Sequence, residues 1–467
     1  MSALLLLLLL YSVAQIALGV WIGRHVRSTE SFFVGGRALG AGLIFATFLA
    51  PNIGAVATVG ATALAYRHGL SAWWWNGSAG VGSLILAFWI GPRIWREAKR
   101  LNLLTVGDFL EHRFGRVVRG VSGALLWTGT LWVLCGQLDG AATVLQAAGG
   151  LPHWAGCLVG TIVMTGYFIS GGLASAARVN TVQLVVKMSG FLLAVPLAMA
   201  AAGGSSAVLA ANVERMSFFD SSSATTGWPL LFLVAPAFFL SPGLLQKAFS
   251  ARDERALTRG IALNGIALMA FSFLPLAIGM TARVLYPDLA GDAQREQLAL
   301  ASVLTNHLPF AAAALALAAV FSAEMSAADA VLYMLSTSGA RDLYKGYIKR
   351  DASDMEVLRA ARIAAVVGAA LAYGLTFIYP NVLDALKMFY SVLVVSLFAP
   401  LLGGLFLPAA GRHAALAAML SGVATLFVFS FLTGSKGYGW VSPTMLGMIV
   451  SGVTYLVMAS VPRRAAQ

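Results

Sequence analysis

Residues 40–66 of this 467-residue chain read GAGLIFATFLAPNIGAVATVGATALAY. The run is long enough to cross a bilayer, which takes roughly 20 apolar residues as a helix. Pro51, Asn52 and Gly54 nevertheless sit in its middle. Pro51 removes a backbone donor and crowds the preceding turn, and Gly54 loosens the chain beside it. In lipid, each backbone group released by such a break needs a partner or a wet cavity. The segment is therefore expected to face protein rather than hydrocarbon, with carbonyls at the break disposed to hold a cation.

The rest of the chain fits a membrane setting. Hydrophobic residues make up 59% and charged residues only 11%, against about 25% charged in soluble domains. Thirteen apolar spans are expected, at about 2–24, 40–66, 71–96, 118–148, 153–171, 179–202, 226–249, 259–282, 308–344, 357–379, 383–408, 413–433 and 442–462. The fold class is an all-α polytopic membrane protein forming a single transporter domain. Segment 40–202 carries five spans and 226–408 another five, flanked by one N-terminal helix (2–24) and two C-terminal helices (413–462). Five is odd, so the two groups start on opposite sides of the membrane, as an inverted repeat requires. The seventh span echoes the second, with Pro236 and then Ser241-Pro242-Gly243. Broken helices in corresponding positions of two halves point to a binding site near the midplane.

The net charge of +12 does not imply a nucleic-acid partner. Most of the 31 Lys and Arg fall in alternate loops, the pattern of a cytoplasmic positive bias. It places the N-terminus outside and the C-terminus in the cytoplasm of a multi-pass plasma-membrane protein. The first apolar run lacks a basic stretch before it and is expected to be a retained span rather than a signal peptide. Between spans, Thr105 is placed to cap a short amphipathic helix within 97–117. Cys135 and Cys157 offer neither a disulfide framework nor a metal-ligand spacing. Gly120-Val121-Ser122-Gly123 matches a pattern used by intramembrane serine proteases, but a serine nucleophile needs a base. All six histidines fall in loops or at span ends, so no enzyme is expected and no organic cofactor.

Ionisable groups inside a membrane are costly and usually functional. Here they are Asp139, Lys187, Glu324, Asp329, Asp384 and Lys387. Ser326 and Asp329 neighbour each other along one helix face. Asn180 and Lys187 also share a face, and an ammonium that deep needs a carboxylate partner or a depressed pKa. Asp329 and Asp139 are the candidate partners. Asn52, Asn76 and Gln137 are neutral polar groups suited both to a polar organic solute and to helix-to-helix hydrogen bonds. Trp73-Trp74-Trp75 reads as an interfacial aromatic belt.

Four stretches resemble the sodium:solute symporter family over nearly the whole chain: SFFVGGRALG, GGLASAARVNTVQ, SPGLLQKAFSARDERALTRG and AEMSAADAVLYMLSTSGARDLYK. The resemblance implies thirteen helices with a leucine-transporter-like inverted repeat and a co-transported sodium ion. It implies sodium ligands at the carbonyls of Ala50, Ile53 and Ala323 and the hydroxyl of Ser326, with Asp329 supplying charge. It also implies solute contacts at Asn76, Gln137 and the broken part of the seventh span, including Ser241. The chain departs from the family where Ala327 replaces a second hydroxyl, and at Asn180, in the stretch where the family carries a carboxylate. In one arrangement, Lys187 places its ammonium where sodium would sit, and the carrier is proton-coupled or uncoupled. The expected function is cation-coupled symport of a small polar solute across the lipid bilayer by alternating access. A transporter-like solute sensor is the rival from another class.

Overall fold

The computed structural model describes residues 2–24, 29–224, 226–378, 382–407 and 410–460. Among them the fold is helical, and two isolated bridges are the only β-type pairing. The helices that matter here are α1 (Ala3–Gly23), α2 (Ala41–Asn52), α3 (Ala61–His68, entered through a π turn at Val56–Gly60), α4 (Trp73–Ile85), α5 (Gly91–Arg100), α6 (Val106–Phe114) and α7 (Arg116–Gly149). They continue with α8 (His153–Ala201), α9 (Leu231–Leu240), α10 (Pro242–Ala248), α11 (Glu254–Phe271), α12 (Phe273–Leu285), α13 (Phe310–Thr337), α14 (Asp354–Leu375), α15 (Val382–Phe406), α16 (Arg412–Thr433) and α17 (Pro443–Ser460).

Local chemistry sets several ends. Thr105 caps α6 in a reciprocal box with Asp108, as its position predicts, and Ser353 does the same for α14 with Glu356. Each box satisfies amide donors that the first helical turn leaves open. The expected spans 153–171 and 179–202 are the two helical stretches of α8, separated by a kink at Gly172 with non-helical φ 52° and ψ −142°; the second is long and apolar enough to cross a membrane over Ala176–Ala201. Glycine adopts that conformation at no steric cost, and the Phe32 ring occupies the place a Cβ would take.

Eight described helices are each long and apolar enough to cross a membrane, and two further spans are bent pairs. The first pair joins Ala41–Asn52 to Val56–Arg100 at 66°, the second Trp228–Leu240 to Pro242–Ala248 at 45°. Both expected breaks are therefore present. Burial separates the centre from the rim. The most apolar stretch of the span containing α13 is 72% buried, against 28% for α1, α16 and α17. α13 packs against α8, α7, α2 and α10, and α2 and α10 touch one another. The two interrupted segments thus meet in the middle of the bundle, on α13.

Candidate functional site

The break after α2 leaves specific carbonyls without helical partners. Pro51 has no N–H, so the Thr47 carbonyl four residues earlier loses its acceptor role in the helix. The Lys247 ammonium, from α10, donates to it at 3.3 Å. The chain leaves helical geometry at Ile53, with φ −94° and ψ 78°, which frees the Ala50 and Ile53 carbonyls as well. Lys187, from α8, donates to Ala50 O at 2.5 Å, Ile53 O at 3.3 Å and Ser326 Oγ at 2.5 Å. An ammonium has three N–H donors, and all three are used. Ser326 completes the group, with its hydroxyl 2.9 Å from Ala50 O and 3.1 Å from Ala323 O. Of the expected cation ligands, Ala50 O, Ile53 O and Ser326 Oγ therefore surround one position, which the Lys187 ammonium occupies, while Ala323 O accepts from Ser326 beside it.

Close packing accounts for Gly54. A Cβ there would stand 2.5 Å from the Ala327 methyl and 2.9 Å from Gln137 Oε1. The break is pressed against α13 at a point where Gly54 has no room to grow. Past the break, Gln137 accepts the Ala55 N–H at 3.0 Å, Thr58 Oγ1 donates to Gly54 O at 3.0 Å, and Asn76 donates to Ala57 O at 2.9 Å. Gln137 and Asn76 thus give side-chain partners to backbone groups past the break, as a break inside a membrane requires, while Gly54 O also keeps its helical bond from Thr58 N at 3.0 Å. The second break is simpler. Ser241, at φ −55° and ψ 119°, turns the chain, and Pro242 starts α10, where a missing N–H costs nothing.

Between the two breaks lies a cavity of about 90 Å³. Asn52, Asn76, Gln137, Ser241 and Lys247 give it polar atoms, and Trp75, Phe238, Phe389 and Tyr390 give it aromatic walls. All four expected solute contacts line it. Asn52 is also bonded to Asn264 at 3.3 Å, so these amides serve both the fold and the cavity. Trp75, expected in a membrane-interface belt, is buried in the cavity wall. Trp73 and Trp74 instead bond the carbonyls of Met269 and Phe218.

Three pairings differ from expectation. Asp329, expected among the cation ligands, is absent from the Lys187 position. Its Oδ2 accepts from Asn180 at 3.5 Å, and the opposing charge is Lys247. The carboxylate acting on Lys187 is Glu324, whose Oε1 lies 3.4 Å from the Thr58 hydroxyl, rather than Asp329 or Asp139. Asn180, expected to share coupling with Lys187, instead serves Asp329. These side chains stand on different helices, so spacing along one helix did not reveal who meets whom. Lys247 was missed altogether, although the orphaned Thr47 carbonyl implied by Pro51 is a signal that some donor must come. Of the outer ionisable pair, the Asp384 side chain lies outside the described residues, and Lys387 lines a larger second cavity with Arg67, His68 and Lys436.

The Gly120–Gly123 pattern is structural. Ser122 Oγ bonds the Val118 carbonyl within its own helix, and the Tyr347 hydroxyl lies where a Gly120 Cβ would be.

At the end of the bundle that carries α6, charges are paired directly. Arg119 meets Asp108 at 3.0 Å, Asp342 at 3.2 Å and Glu111 in closer contact. Arg341 reaches Asp108 at 3.2 Å, and Thr105 donates to Asp342 at 3.0 Å. Burial pushes the Asp108 carboxyl up, but the Arg341 and Arg119 guanidiniums outweigh it and hold the group below the usual carboxylate range.

The sodium:solute symporter family model matches residues 32–422. Among curated proteins, the chain is 26% identical over 482 residues to the sodium/pantothenate symporter of Escherichia coli, covering 96% of this chain and 95% of that one. It is 26% identical over 447 residues to the sodium/proline symporter of Haemophilus influenzae, covering 90% and 86%. It is 26% identical over 432 residues to the human sodium/iodide cotransporter, and that match spans 87% of this chain but only 66% of the human protein. Among solved structures, a Na+-coupled sialic acid symporter in a substrate-bound outward-open state superposes with a TM-score of 0.80 at 16% identity, covering 97% and 96% of the two chains. The nucleobase-cation-symport transporter Mhp1 in a closed conformation superposes at 0.59 and 16% identity, covering 92% of each. These likenesses give the fold. With the family model spanning most of its length, the chain belongs to the sodium:solute symporter family.

Proposed function

We propose that this chain is a secondary active symporter that carries a small polar organic solute by alternating access, using the cavity between the two broken spans. Segments 40–202 and 226–408 act as the inverted halves, with 2–24 and 413–462 outside them. The N-terminus faces outward and the C-terminus the cytoplasm of the plasma membrane, in keeping with the loop charges. Asn52, Asn76, Gln137 and Ser241 contact the solute, while the aromatic walls exclude water. The relatives are named for solutes as different as iodide, pantothenate and proline, so the solute is to be found by screening.

The coupling ion is sodium, in keeping with the family, and it binds where Ala50 O, Ile53 O and Ser326 Oγ converge. The observation that carries this reading is the convergence of those oxygens at the α2 break, filled here by an ammonium. Sodium and the Lys187 ammonium exclude one another from that position, so sodium binds only when Lys187 withdraws. Lys187 supports a second reading, in which its ammonium is itself the coupling cation and protons replace sodium. Ala327, which leaves the seat short of a hydroxyl, and Asn180, where the family carries a carboxylate on the ion's inward path, favour it too.

Uptake into proteoliposomes separates the two. An inward sodium gradient at symmetric pH is expected to drive solute accumulation that collapses when sodium is equilibrated. Accumulation driven by a pH gradient and indifferent to sodium transfers the role to Lys187. Flux that responds to neither gradient overturns cation coupling.

A further inference from the structure

One cluster in the bundle takes no part in the cavity or the ion seat. Asp139 belongs to α7. His153 and Cys157 stand one turn apart at the start of α8, so both face the same side. His153 Nε2 lies 2.7 Å from Asp139 Oδ1, and Cys157 Sγ lies 3.8 Å from His153 Nδ1. One ligating atom from each residue fits within a 4.8 Å span. The carboxylate and thiol are buried, while the His153 side chain is 42% exposed and gives access from solvent.

We infer that Asp139, His153 and Cys157 form a binding site for a divalent transition metal of the zinc class. The donor set is one sulfur, one imidazole nitrogen and one carboxylate oxygen, which selects zinc, cobalt or copper over sodium, magnesium or calcium. Bond lengths of about 2.0 Å to N and O and 2.3 Å to S put tetrahedral ligand atoms roughly 3.3–3.5 Å apart. His153 reaches Asp139 through Nε2 and Cys157 through Nδ1, so the ring must turn to offer one nitrogen to an ion shared with both; one ligand atom from each residue already lies within 4.8 Å of the others. Asp139, more than nine-tenths buried, has His153 as its ion-pair partner, so the ion replaces a direct carboxylate–imidazole contact with one that it bridges. Cys157 Sγ also lies 3.7 Å from the Leu138 carbonyl, a long and weak contact. On binding, Cys157 gives its thiol proton to solvent and the metal takes its place, with water as fourth ligand on the exposed side. The ion ties α7 to α8 two residues from Gln137, which holds the Ala55 amide at the broken span.

The test uses the full chain in detergent, stripped of metal and then titrated with cobalt(II) and with zinc(II). One ion per chain is expected, and the cobalt form is expected to show a thiolate-to-metal charge-transfer band in the near ultraviolet. Cys157→Ser removes the band, His153→Gln weakens zinc binding by at least about tenfold, and Cys135→Ala changes neither. Metal-free thermal transitions verify that each variant folds. Should Cys157→Ser fail to fold, the half-exposed His153 decides the matter. Wild-type protein that binds neither ion, or binding that survives both His153→Gln and Cys157→Ser, overturns the site.

Discussion

Lys187 and Arg119 are both buried cations at the core of this bundle, and they are held in opposite ways. Arg119 is fastened to three carboxylates by direct contact, on α6 and on the π turn that ends the α13 span. Lys187 touches only neutral oxygens, two carbonyls and a hydroxyl, with its balancing charge on Glu324 beyond them. Breaking a buried ion pair leaves an uncompensated charge on each side and costs about 3–5 kcal/mol. Neutral oxygens, by contrast, accept one monovalent cation as readily as another of similar size. The α6 end is thus built as a fastening, whereas under the proposed function the α2 break is a seat whose occupant can be exchanged.

Arg119→Met gives the largest expected effect on stability. It strands the buried Asp342 and leaves Asp108 with Arg341 alone, so a loss of about 3–5 kcal/mol is expected. A thermal transition in detergent checks this, and an unchanged midpoint removes the claim that this end is a fastening. Gly54→Ala comes next. The added methyl meets Ala327 and Gln137, for which overpacking costs of about 1–3 kcal/mol apply. Adding Ala327→Gly should recover much of that loss, and no recovery would show that the break is not braced against α13 there. Ser326→Ala is smaller in stability, about 1 kcal/mol for one hydrogen bond, yet it should weaken cation dependence of uptake at the seat. Cation dependence that survives intact separates Ser326 from the seat.

The smallest effect is on pH. Asp108 has a depressed pKa in the folded state, so its stabilisation is fully present above the ordinary carboxylate value of about 3.9. It is lost as pH falls through the lower folded value. The thermal midpoint should therefore drop on acidification into that range, and less so in Asp108→Asn. Equal drops in both would place the acid sensitivity elsewhere.

What the sequence made legible is local. Pro51, Gly54, Pro236 and Ser241-Pro242 announce their breaks because proline and glycine act on their own few residues. Thr105 announces its cap for the same reason. Periodicity put Ser326 on one helix face with Asp329 and Asn180 on one with Lys187, and the arrangement with an ammonium in the cation's place came from the family resemblance and the chain's departures from it at Ala327 and Asn180. Partners across helices were not legible. Glu324 rather than Asp329 balances Lys187, Lys247 reaches the Thr47 carbonyl from the other half, and Asp139 meets His153, all through packing that no spacing within one helix encodes. The two spans that make up α8 were legible, while the sharp turn at Gly172 between them was not.

The central claim is that the Lys187 ammonium and the coupling cation compete for one seat. Equilibrium binding of radioactive sodium to purified wild type, Lys187→Met and Lys187→Met/Ser326→Ala tests it directly. The account predicts that sodium binds Lys187→Met more tightly than wild type, because the rival ammonium is gone, and that the added Ser326→Ala weakens it again. Sodium affinity that is the same in all three proteins contradicts the account.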